Sequence, residues 1–318
     1  MRYSHAPENR AVALLIAATD RQCDELAALL RAQLPGVDVR VWPELGDPAD
    51  IAFVLAWRAP HGLFAALPNL RAVSSLGAGA DELLAAADLP ADVALGRVAG
   101  PRLAADMASY LVSVTAAHRH RLEPLRDAQR RGDWVSAPAG PPPTVGLLGI
   151  GAIGRRAAAV FGALGWEVHA WNRSGRGPAG VSMHAGREGL WRIAASTDFL
   201  VNLLPLTDAT RGILNARLFE RMRRDSVLVN VGRGAHLVES DLLVALDRHR
   251  PGHAVLDVFN PEPPAPDHPF WTHPRIRVTP HCAAVTSAPE AADIVAQSYR
   301  RVLAGRPPLG AIERERGY

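Results

Sequence analysis

Lysine is absent from this sequence of 318 residues, so arginine supplies all 35 of its basic side chains. The arginines are interspersed with 32 acidic residues, which leaves a net charge of only +3 at pH 7. A nucleic-acid-binding surface needs cations that cluster on one face instead of alternating with carboxylates. The charge pattern therefore argues against a nucleic-acid partner.

Cysteine is scarce as well, since only Cys23 and Cys282 occur. Two cysteines are too few for a disulfide framework and lack the paired spacing of a zinc site, so we expect a reduced, cytosolic protein. The histidines His118 and His120 lie two residues apart on a predicted helix and cannot face one ion. We therefore predict no metal site.

Long apolar runs are also missing. The stretch Ala11–Ala18 has only eight residues and follows two arginines, as the apolar core of an export signal does. It is far too short to span a membrane and short even for such a signal. We interpret it as a buried first strand and expect no membrane association.

What the sequence does contain is an alternation of short apolar runs with helical patterns, which is typical of parallel sheets covered by helices. The fold class is therefore α/β, and a chain of this length has the size of two domains. In the first part, Asp20 is predicted to cap a helix over Arg21–Leu34. The strands predicted there are Ala11–Ala17, Val37–Trp42, Ile51–Leu55 and Ala72–Ser75.

A long helical pattern then runs from Arg102 to about Arg131, with an interruption expected at Pro124. The segment Ala137–Pro143, mostly proline and glycine, ends it, and a second α/β unit follows. The strands predicted in that unit are Thr144–Leu148, Glu167–Trp171, Phe199–Leu203, Val227–Asn230, Ala254–Val258 and Arg277–Thr279. The tail from Ser287 to Ala304 is predicted to be helical and need not belong to the second unit.

A glycine-rich turn opens the second unit, where Gly149-Ile150-Gly151-Ala152-Ile153-Gly154 follows a predicted strand and begins an amphipathic helix. Glycines in this position allow a tight turn and let a pyrophosphate reach backbone N–H groups at the positive end of the helix. We therefore predict a dinucleotide-binding site formed by Gly149, Gly151, Ala152, Ile153 and Gly154.

Further motifs follow this turn in order, and together they resemble those of the D-isomer-specific 2-hydroxyacid dehydrogenases. They are Asn230-Val231-Gly232-Arg233-Gly234, Asp257-Val258-Phe259-Asn260-Pro261-Glu262-Pro263 and Thr279-Pro280-His281. Within that family the chain is more similar to the glyoxylate/hydroxypyruvate reductase A branch. The segments that carry this likeness are Ser75-Leu76-Gly77-Ala78-Gly79-Ala80-Asp81, Asn202-Leu203-Leu204-Pro205, His281-Cys282-Ala283-Ala284-Val285-Thr286 and the ending Arg316-Gly317-Tyr318.

The resemblance implies two Rossmann-like or flavodoxin-like domains with parallel sheets. A cofactor domain over residues 102–286 is inserted into a substrate domain built from residues 1–101 and 287–318. The resemblance also implies a homodimer.

The same resemblance gives catalytic roles to Arg233, Glu262 and His281. Reducing a 2-oxo acid needs a hydride donor, a cation for the carboxylate and carbonyl oxygen, and an acid that protonates the developing alkoxide. In the family, the matching arginine binds substrate, the histidine is the general acid, and the glutamate keeps the histidine protonated. Taken singly, the three can also be a surface cation, a loop carboxylate and a capped histidine.

Additional cofactor-binding residues follow from the resemblance. Asp257 is expected to bind the nicotinamide amide, although an Asp that ends a strand can also simply cap a turn. Leu204, Pro205 and Val231 are expected beside the cofactor as well.

Substrate-binding residues are implied in the first domain. The turn formed by Leu76, Gly77, Ala78 and Gly79 is expected to present backbone N–H groups to the substrate carboxylate, and without the resemblance it is an ordinary turn. Trp57 matches a tryptophan that lies near the substrate in the reductase branch, but large aromatic side chains commonly belong to the core.

The segment Trp171-Asn172-Arg173-Ser174, after the second strand of the cofactor unit, indicates a preference for NADPH. NAD-preferring sites usually carry a carboxylate there, which accepts hydrogen bonds from the ribose hydroxyls and repels a 2′-phosphate. Here Arg173 can bind the phosphate, and Asn172 and Ser174 can donate further hydrogen bonds. Arg173 can instead stack on the adenine or lie in solvent, and NADH can still serve as a cofactor.

These features predict an oxidoreductase that transfers hydride from NADPH to a small 2-oxo acid of the glyoxylate or hydroxypyruvate type. One alternative is an NAD-dependent dehydrogenase of a larger hydroxy acid, since pocket shape decides substrate size. Another is a non-catalytic dinucleotide sensor that binds a protein partner. The intact Arg233, Glu262 and His281 argue against the sensor, which has no need of a proton donor.

Overall fold

The computed structural model describes residues 12–19, 23–136, 138 and 140–318. It divides into two compact units. The first comprises the described residues up to Gly100 together with Thr286–Tyr318, and the second comprises the described residues of Pro101–Val285. Ala11 and Asp20, predicted as the start of a strand and as a helix cap, lie outside the described residues.

The elements follow in chain order. The first unit opens with β1 (Ala13–Ala18), α1 (Asp24–Gln33), β2 (Val39–Val41), β3 (Ile51–Trp57), β4 (Ala72–Ser75), α2 (Asp81–Ala85) and β5 (Ala94–Arg97). The second contains α3 (Pro101–Arg119), α4 (Leu122–Arg131), β6 (Thr144–Leu148), α5 (Ala152–Ala163), β7 (Glu167–Trp171), β8 (Ser182–His184), α6 (Gly186–Ser196), β9 (Phe199–Asn202), α7 (Ala216–Phe219), β10 (Val227–Asn230), α8 (Glu239–Asp247), β11 (His253–Leu256) and β12 (Ile276–Val278). The chain then returns to the first unit with α9 (Ala288–Leu303).

The first unit is built on a five-stranded parallel sheet in the order β2-β1-β3-β4-β5. β1 is buried along its whole length, because its alternate side chains enter two separate cores. Leu14 and Ile16 pack with residues of α1 and α9, and Leu15 packs in the core on the opposite face. A strand buried on both faces reads as a continuous apolar run, which confirms the predicted first strand.

The second unit is built on a seven-stranded parallel sheet in the order β12-β11-β10-β9-β6-β7-β8. From β6 the chain proceeds outward through β7 and β8 and then returns to place β9 on the other side of β6. Ligands of open α/β sheets bind beyond the carboxyl ends of the strands at such a switch point. The α/β fold with two parallel sheets is therefore as predicted.

The helix predicted from Arg102 to about Arg131 is two helices, α3 and α4, and the predicted position of its interruption is wrong. Arg121 separates them with φ of 54°, in the left-handed region. Pro124 lies in the first turn of α4, where its missing N–H removes no intrahelical hydrogen bond.

Of the two cysteines, Cys23 is buried and Cys282 is exposed. In the part of the chain that the structure describes, no helix is long and apolar enough to cross a membrane. Nor do the described residues contain a group of three or more His, Cys, Asp and Glu side chains that could hold a metal ion.

Candidate active site

The glycine turn joins β6 to α5, and glycine is required or favoured at each of its three positions for a different structural reason. Gly149 has φ of 103°, a backbone conformation that residues other than glycine rarely adopt. A Cβ on Gly154 would lie 2.3 Å from the Gly149 carbonyl oxygen, so only glycine lets α5 approach the turn this closely. Gly151 precedes the first residues of α5, Ala152 and Ile153, and a Cβ there would meet no atom within 4 Å. This open approach to the helix N-terminus fits a pyrophosphate.

The loop after β7 is shaped by the carboxamide of Asn172. Its Nδ2 donates to the Arg176 carbonyl oxygen at 2.7 Å, and its Oδ1 accepts from the Gly175 N–H at 2.6 Å. The Ser174 hydroxyl also donates to Asn172 Oδ1, at 3.3 Å. Asn172 and Ser174 therefore bind within the loop, while Arg173 is exposed. The loop presents a guanidinium in place of the carboxylate of NAD-preferring sites.

His281 and Glu262 form the central contact of the site. His281 Nδ1 lies 2.8 Å from one carboxylate oxygen of Glu262, and the other accepts from the Phe259 N–H at 2.8 Å. Burial raises the pKa of Glu262, but the hydrogen bonds from His281 and Phe259 and the charge of Arg233 outweigh burial and hold this pKa below its ordinary value. Glu262 is therefore an anion whose hydrogen bond to Nδ1 fixes the orientation of the His281 imidazole.

Arg233, Glu262 and His281 follow three neighbouring strands, β10, β11 and β12 respectively. Because the strands are parallel, their carboxyl ends lie at one edge of the sheet, and the three predicted residues come together there. Arg233 is half-buried, and its Nη1 donates to the Gly232 carbonyl oxygen at 2.9 Å. The arrangement joins a cation to a histidine–carboxylate pair, which suits binding of an anion followed by proton transfer.

Asp257 holds the segment that carries His281. Its carboxylate accepts from the Thr279 hydroxyl at 2.5 Å and from the Cys282 and Ala283 N–H groups at 3.0 Å each. Its carbonyl oxygen accepts from the His281 N–H at 2.8 Å. His281 has φ of 50°, a strained conformation for this residue type, which these bonds stabilise.

Tyr110 of α3 extends this hydrogen-bonded chain. Its hydroxyl lies 2.7 Å from the Thr279 hydroxyl oxygen. The single Thr279 hydroxyl proton goes to Asp257, so Tyr110 is the donor in its contact with Thr279. Burial raises the pKa of Tyr110 to about 12, which keeps this donor protonated.

Leu204, Pro205 and Val231 follow β9 and β10, at the switch point beside β6. Leu204 and Val231 are buried, and their N–H groups donate to the side-chain and main-chain oxygens of Asn202 at 3.2 and 3.4 Å. The Pro205 carbonyl oxygen accepts from the Thr210 hydroxyl at 2.7 Å. These three predicted residues therefore lie beyond the carboxyl ends of β9 and β10, beside the switch point of the sheet.

The predicted substrate residues of the first unit form one local cluster. Trp57 ends β3, and a Cβ on Gly77 would lie 2.7 Å from its ring, so the ring packs directly on the turn. Leu76 is buried, whereas Gly77, Ala78 and Gly79 are partly exposed. The glycine at position 77 is explained by contact with Trp57 and not by a positive φ. Trp57 also packs against the core of the first unit, as its core interpretation predicts.

Four residues that take part in the site were missed by the sequence reasoning. Tyr110 gives no sequence signal, because its helix face reads as ordinary packing. Asn202 and Asn230 end two apolar strands, and a polar residue at that place is a usable signal. His236 follows Arg233 by one turn and is fully buried. The last three form a hydrogen-bonded network behind Arg233.

Comparison with known proteins places the chain among characterised families. Residues 112–283 match the family model described as "D-isomer specific 2-hydroxyacid dehydrogenase, NAD binding domain". The chain is 37% identical over 304 residues to glyoxylate/hydroxypyruvate reductase A of Serratia proteamaculans (strain 568), and the match covers 93% of this chain and 96% of the relative.

Two solved structures agree with this match over nearly the whole chain. A D-isomer specific 2-hydroxyacid dehydrogenase from Xanthobacter autotrophicus Py2, in complex with NADPH and MES, superposes with a TM-score of 0.92 at 34% identity, covering 97% of this chain and 100% of that one. An NADPH-dependent glyoxylate/hydroxypyruvate reductase from Sinorhizobium meliloti, in complex with NADP and sulfate, has a TM-score of 0.90 at 32% identity, covering 96% and 100%.

Proposed function

The chain belongs to the D-isomer-specific 2-hydroxyacid dehydrogenase family, and from this premise we propose that it transfers hydride from NADPH to a small 2-oxo acid. Glyoxylate and hydroxypyruvate are the proposed substrates, since the similar enzymes of Serratia and Sinorhizobium are named for them. The observation that carries the proposal is the 2.8 Å contact between His281 Nδ1 and Glu262, whose pKa Arg233 helps to lower.

The residues that would hold NADPH all belong to the second unit. The glycine turn receives the pyrophosphate, Arg173 the 2′-phosphate and Asp257 the nicotinamide amide. Leu204, Pro205 and Val231 border the same cofactor. When bound, NADPH supplies the hydride that reduces the carbonyl carbon.

The hydrogen bonds already made by the site residues indicate how the proposed reduction proceeds. Arg233 binds the substrate carboxylate and polarises the carbonyl oxygen. Because Glu262 occupies Nδ1 of His281, the proton is delivered from Nε2 to the oxygen that becomes the hydroxyl group. Glu262 stays ionised, stabilises the imidazolium before transfer and orients the neutral ring afterwards.

The first unit is proposed as the substrate domain, and the second as the cofactor domain. In the first unit, the N–H groups of Gly77, Ala78 and Gly79 are proposed to bind the substrate carboxylate, with Leu76 anchoring the turn and Trp57 packing beside it. A homodimer and a cytoplasmic location complete the proposal. Light scattering on the purified protein tests the dimer.

The function is tested by following the absorbance of NADPH with glyoxylate, hydroxypyruvate, pyruvate and phenylpyruvate, and by repeating each assay with NADH. We expect the highest kcat/KM with NADPH and either glyoxylate or hydroxypyruvate. A clearly higher kcat/KM with phenylpyruvate would overturn the substrate assignment. NADPH binding without turnover of any 2-oxo acid would instead indicate a sensor.

A further inference from the structure

Three fully buried polar side chains lie together behind the proposed substrate arginine. Asn202 and Asn230 are the last residues of β9 and β10, are directly opposed in the sheet register, and are 0% exposed. His236, in the short helical turn that follows Arg233, is also 0% exposed. Buried polar groups are unfavourable unless their hydrogen bonds are made, so each partner of this network has to be identified.

The main chain fixes the orientation of both carboxamides. The Leu204 N–H donates to Asn202 at 3.2 Å, so that atom is Oδ1, and Nδ2 faces Asn230 Oδ1 and His236 Nδ1, each at 2.9 Å. Asn230 faces the Arg233 carbonyl oxygen at 3.1 Å, so that atom is Nδ2. Neither amide can be reversed without placing a donor against a donor or an acceptor against an acceptor.

The two amide orientations determine the tautomer of His236. Its Nδ1 receives the N–H of Asn202 at 2.9 Å and the backbone N–H of Arg233 at 3.1 Å. Two donors converge on Nδ1, so this atom carries no proton and the ring proton is on Nε2. Nε2 lies 3.2 Å from the Pro205 carbonyl oxygen, to which it donates.

The packing around the network leaves no space for a side chain at position 232. A Cβ on Gly232 would lie 2.7 Å from Asn202 Nδ2 and 3.1 Å from His236 Nδ1. Glycine in the Val231-Gly232-Arg233 segment therefore gives the imidazole and the carboxamide access to the main chain.

We propose that His236 is a positioning residue. Its imidazole is neutral and protonated on Nε2, and it holds the main chain of Arg233 and the main chain of Pro205 in a fixed relative position. Nδ1 holds the Arg233 N–H, Asn230 holds the Arg233 carbonyl oxygen, and Nε2 holds Pro205. One ring therefore fixes both the main-chain position from which the Arg233 side chain extends and the position of Pro205. The kinetic consequences rest on the proposed function, whereas the tautomer does not.

The tautomer is tested directly by long-range ¹H–¹⁵N correlation spectra of the protein labelled with ¹⁵N-histidine, with the His236 signals identified by their loss in His236→Asn. We expect a neutral Nε2–H pattern at pH 7 that is unchanged when NADPH is added. An Nδ1–H tautomer or an imidazolium pattern at pH 7 would overturn the proposal whether or not the protein is a reductase.

The positioning role is tested by a pair of variants. His236→Leu removes both ring contacts, and we expect KM to rise by roughly three- to tenfold for both the 2-oxo acid and NADPH, as loss of single neutral hydrogen bonds implies. In His236→Asn, the Oδ1 atom replaces Nδ1 but nothing reaches Pro205. This variant is expected to restore the KM for the 2-oxo acid more than the KM for NADPH.

The matched control is His118→Phe, which replaces a half-buried histidine of the same unit outside the site. It is expected to leave both KM values unchanged. Wild-type KM values in His236→Leu would contradict the proposal. So would increases in KM that depend only on the fall in melting temperature and are the same in His236→Leu, His236→Asn and His118→Phe.

Discussion

At the scale of single residues, the imidazole of His281 has its two nitrogens assigned to different tasks. Nδ1 is held by Glu262 at 2.8 Å, and the main chain at this position is held by Asp257 despite a positive φ. Nε2 is the nitrogen on which the proposed proton transfer depends. Replacing the ring therefore removes the proton donor and leaves the glycine turn and the loop after β7 intact.

We predict that His281→Ala lowers kcat for 2-oxo acid reduction by about 10²–10⁴, the usual contribution of general acid catalysis, while the Kd for NADPH stays near the wild-type value. Stopped-flow reduction and NADPH fluorescence titration measure the two quantities. His268→Ala is the matched control, because His268 also contacts a carboxylate, that of Glu239 at 3.0 Å, outside the site. Near-normal turnover in His281→Ala would remove this histidine from the mechanism.

Arg173 is the second residue whose role can be isolated. Asn172 holds the loop after β7 through three internal hydrogen bonds, so truncating Arg173 does not dismantle the loop. We predict that Arg173→Ala weakens NADPH binding by about 1.5–3 kcal/mol, approximately ten- to a hundredfold, and changes NADH binding little.

Titrations with both cofactors test this assignment, and Arg217→Ala removes an exposed arginine of the same unit as a control. Equal losses for NADPH and NADH in Arg173→Ala would show that the guanidinium does not bind the 2′-phosphate. A wild-type protein that prefers NADH would lead to the same conclusion.

Residues of the candidate site could be predicted from the sequence only where the family resemblance assigns them a role. Arg233, Glu262 and His281 were placed together because each follows a parallel strand. Asn202 and His236 lie 34 positions apart, and their contact depends on the register of β9 against β10 and on a glycine between them. Neither the register nor the close packing of both side chains against Gly232 is visible in a sequence.

At the scale of secondary-structure elements, α5 is the helix whose position controls the proposed pyrophosphate site. Gly154 lies in its first turn, and a Cβ there would overlap the Gly149 carbonyl oxygen. Because this contact is with backbone, relief requires the helix to move away from the turn. The N–H groups of the helix N-terminus would move with it.

We predict that Gly154→Ala destabilises the protein by roughly 1–3 kcal/mol, as overpacking generally does, and weakens NADPH and NADH binding to a similar extent. Gly162→Ala in the same helix is the control, because its Cβ meets no atom within 4 Å and alanine favours a helix by up to about 1 kcal/mol. Urea unfolding and cofactor titration check both variants. Unchanged cofactor affinity in Gly154→Ala would contradict the role of the close approach.

The elements that were predicted are those with a strong apolar pattern. β4, β6, β7 and β10 have the predicted bounds. Three of them are buried parallel strands, and β7 places its alternate residues Val168 and Ala170 in the core. The edge strands β5 and β8 were missed, because Ser182–His184 of β8 has no apolar run and the four residues of β5 end in a glycine and an arginine. Edge strands depend on pairing with one neighbour, and pairing leaves a weaker trace in the sequence than burial does.

At the scale of the whole molecule, the two ends of the seven-stranded sheet carry different properties. The proposed catalytic residues follow the carboxyl ends of β10, β11 and β12. At the amino ends, His118 of α3 packs edge-on against Phe199 and His253, the first residues of β9 and β11, with ring centroids 5.8 and 4.8 Å away. A change at the amino ends is therefore expected to alter stability without altering the chemistry.

Burial, reinforced by the nearby His253, Arg277 and Arg121, lowers the pKa of His118 to about 4 from an ordinary value of 6.5. Between these pH values the unfolded chain binds a proton at this position and the folded protein does not, so stability falls as the pH is lowered from about 6.5 towards 4.

We predict that His118→Phe, which keeps an aromatic ring and removes the titrating group, loses less stability than the wild type across this pH interval. A free-energy difference of roughly 1–2 kcal/mol is expected, because solvent screening at a half-buried ring reduces the effect. Thermal unfolding at pH 7.5, 6, 5 and 4.5 measures the difference, and His120→Phe, at an exposed position two residues further on, controls for the added ring. Parallel stability curves for wild type and His118→Phe would show that His118 titrates equally in the folded and unfolded states. A changed kcat of His118→Phe at pH 7.5 would show that the two ends of the sheet are not independent.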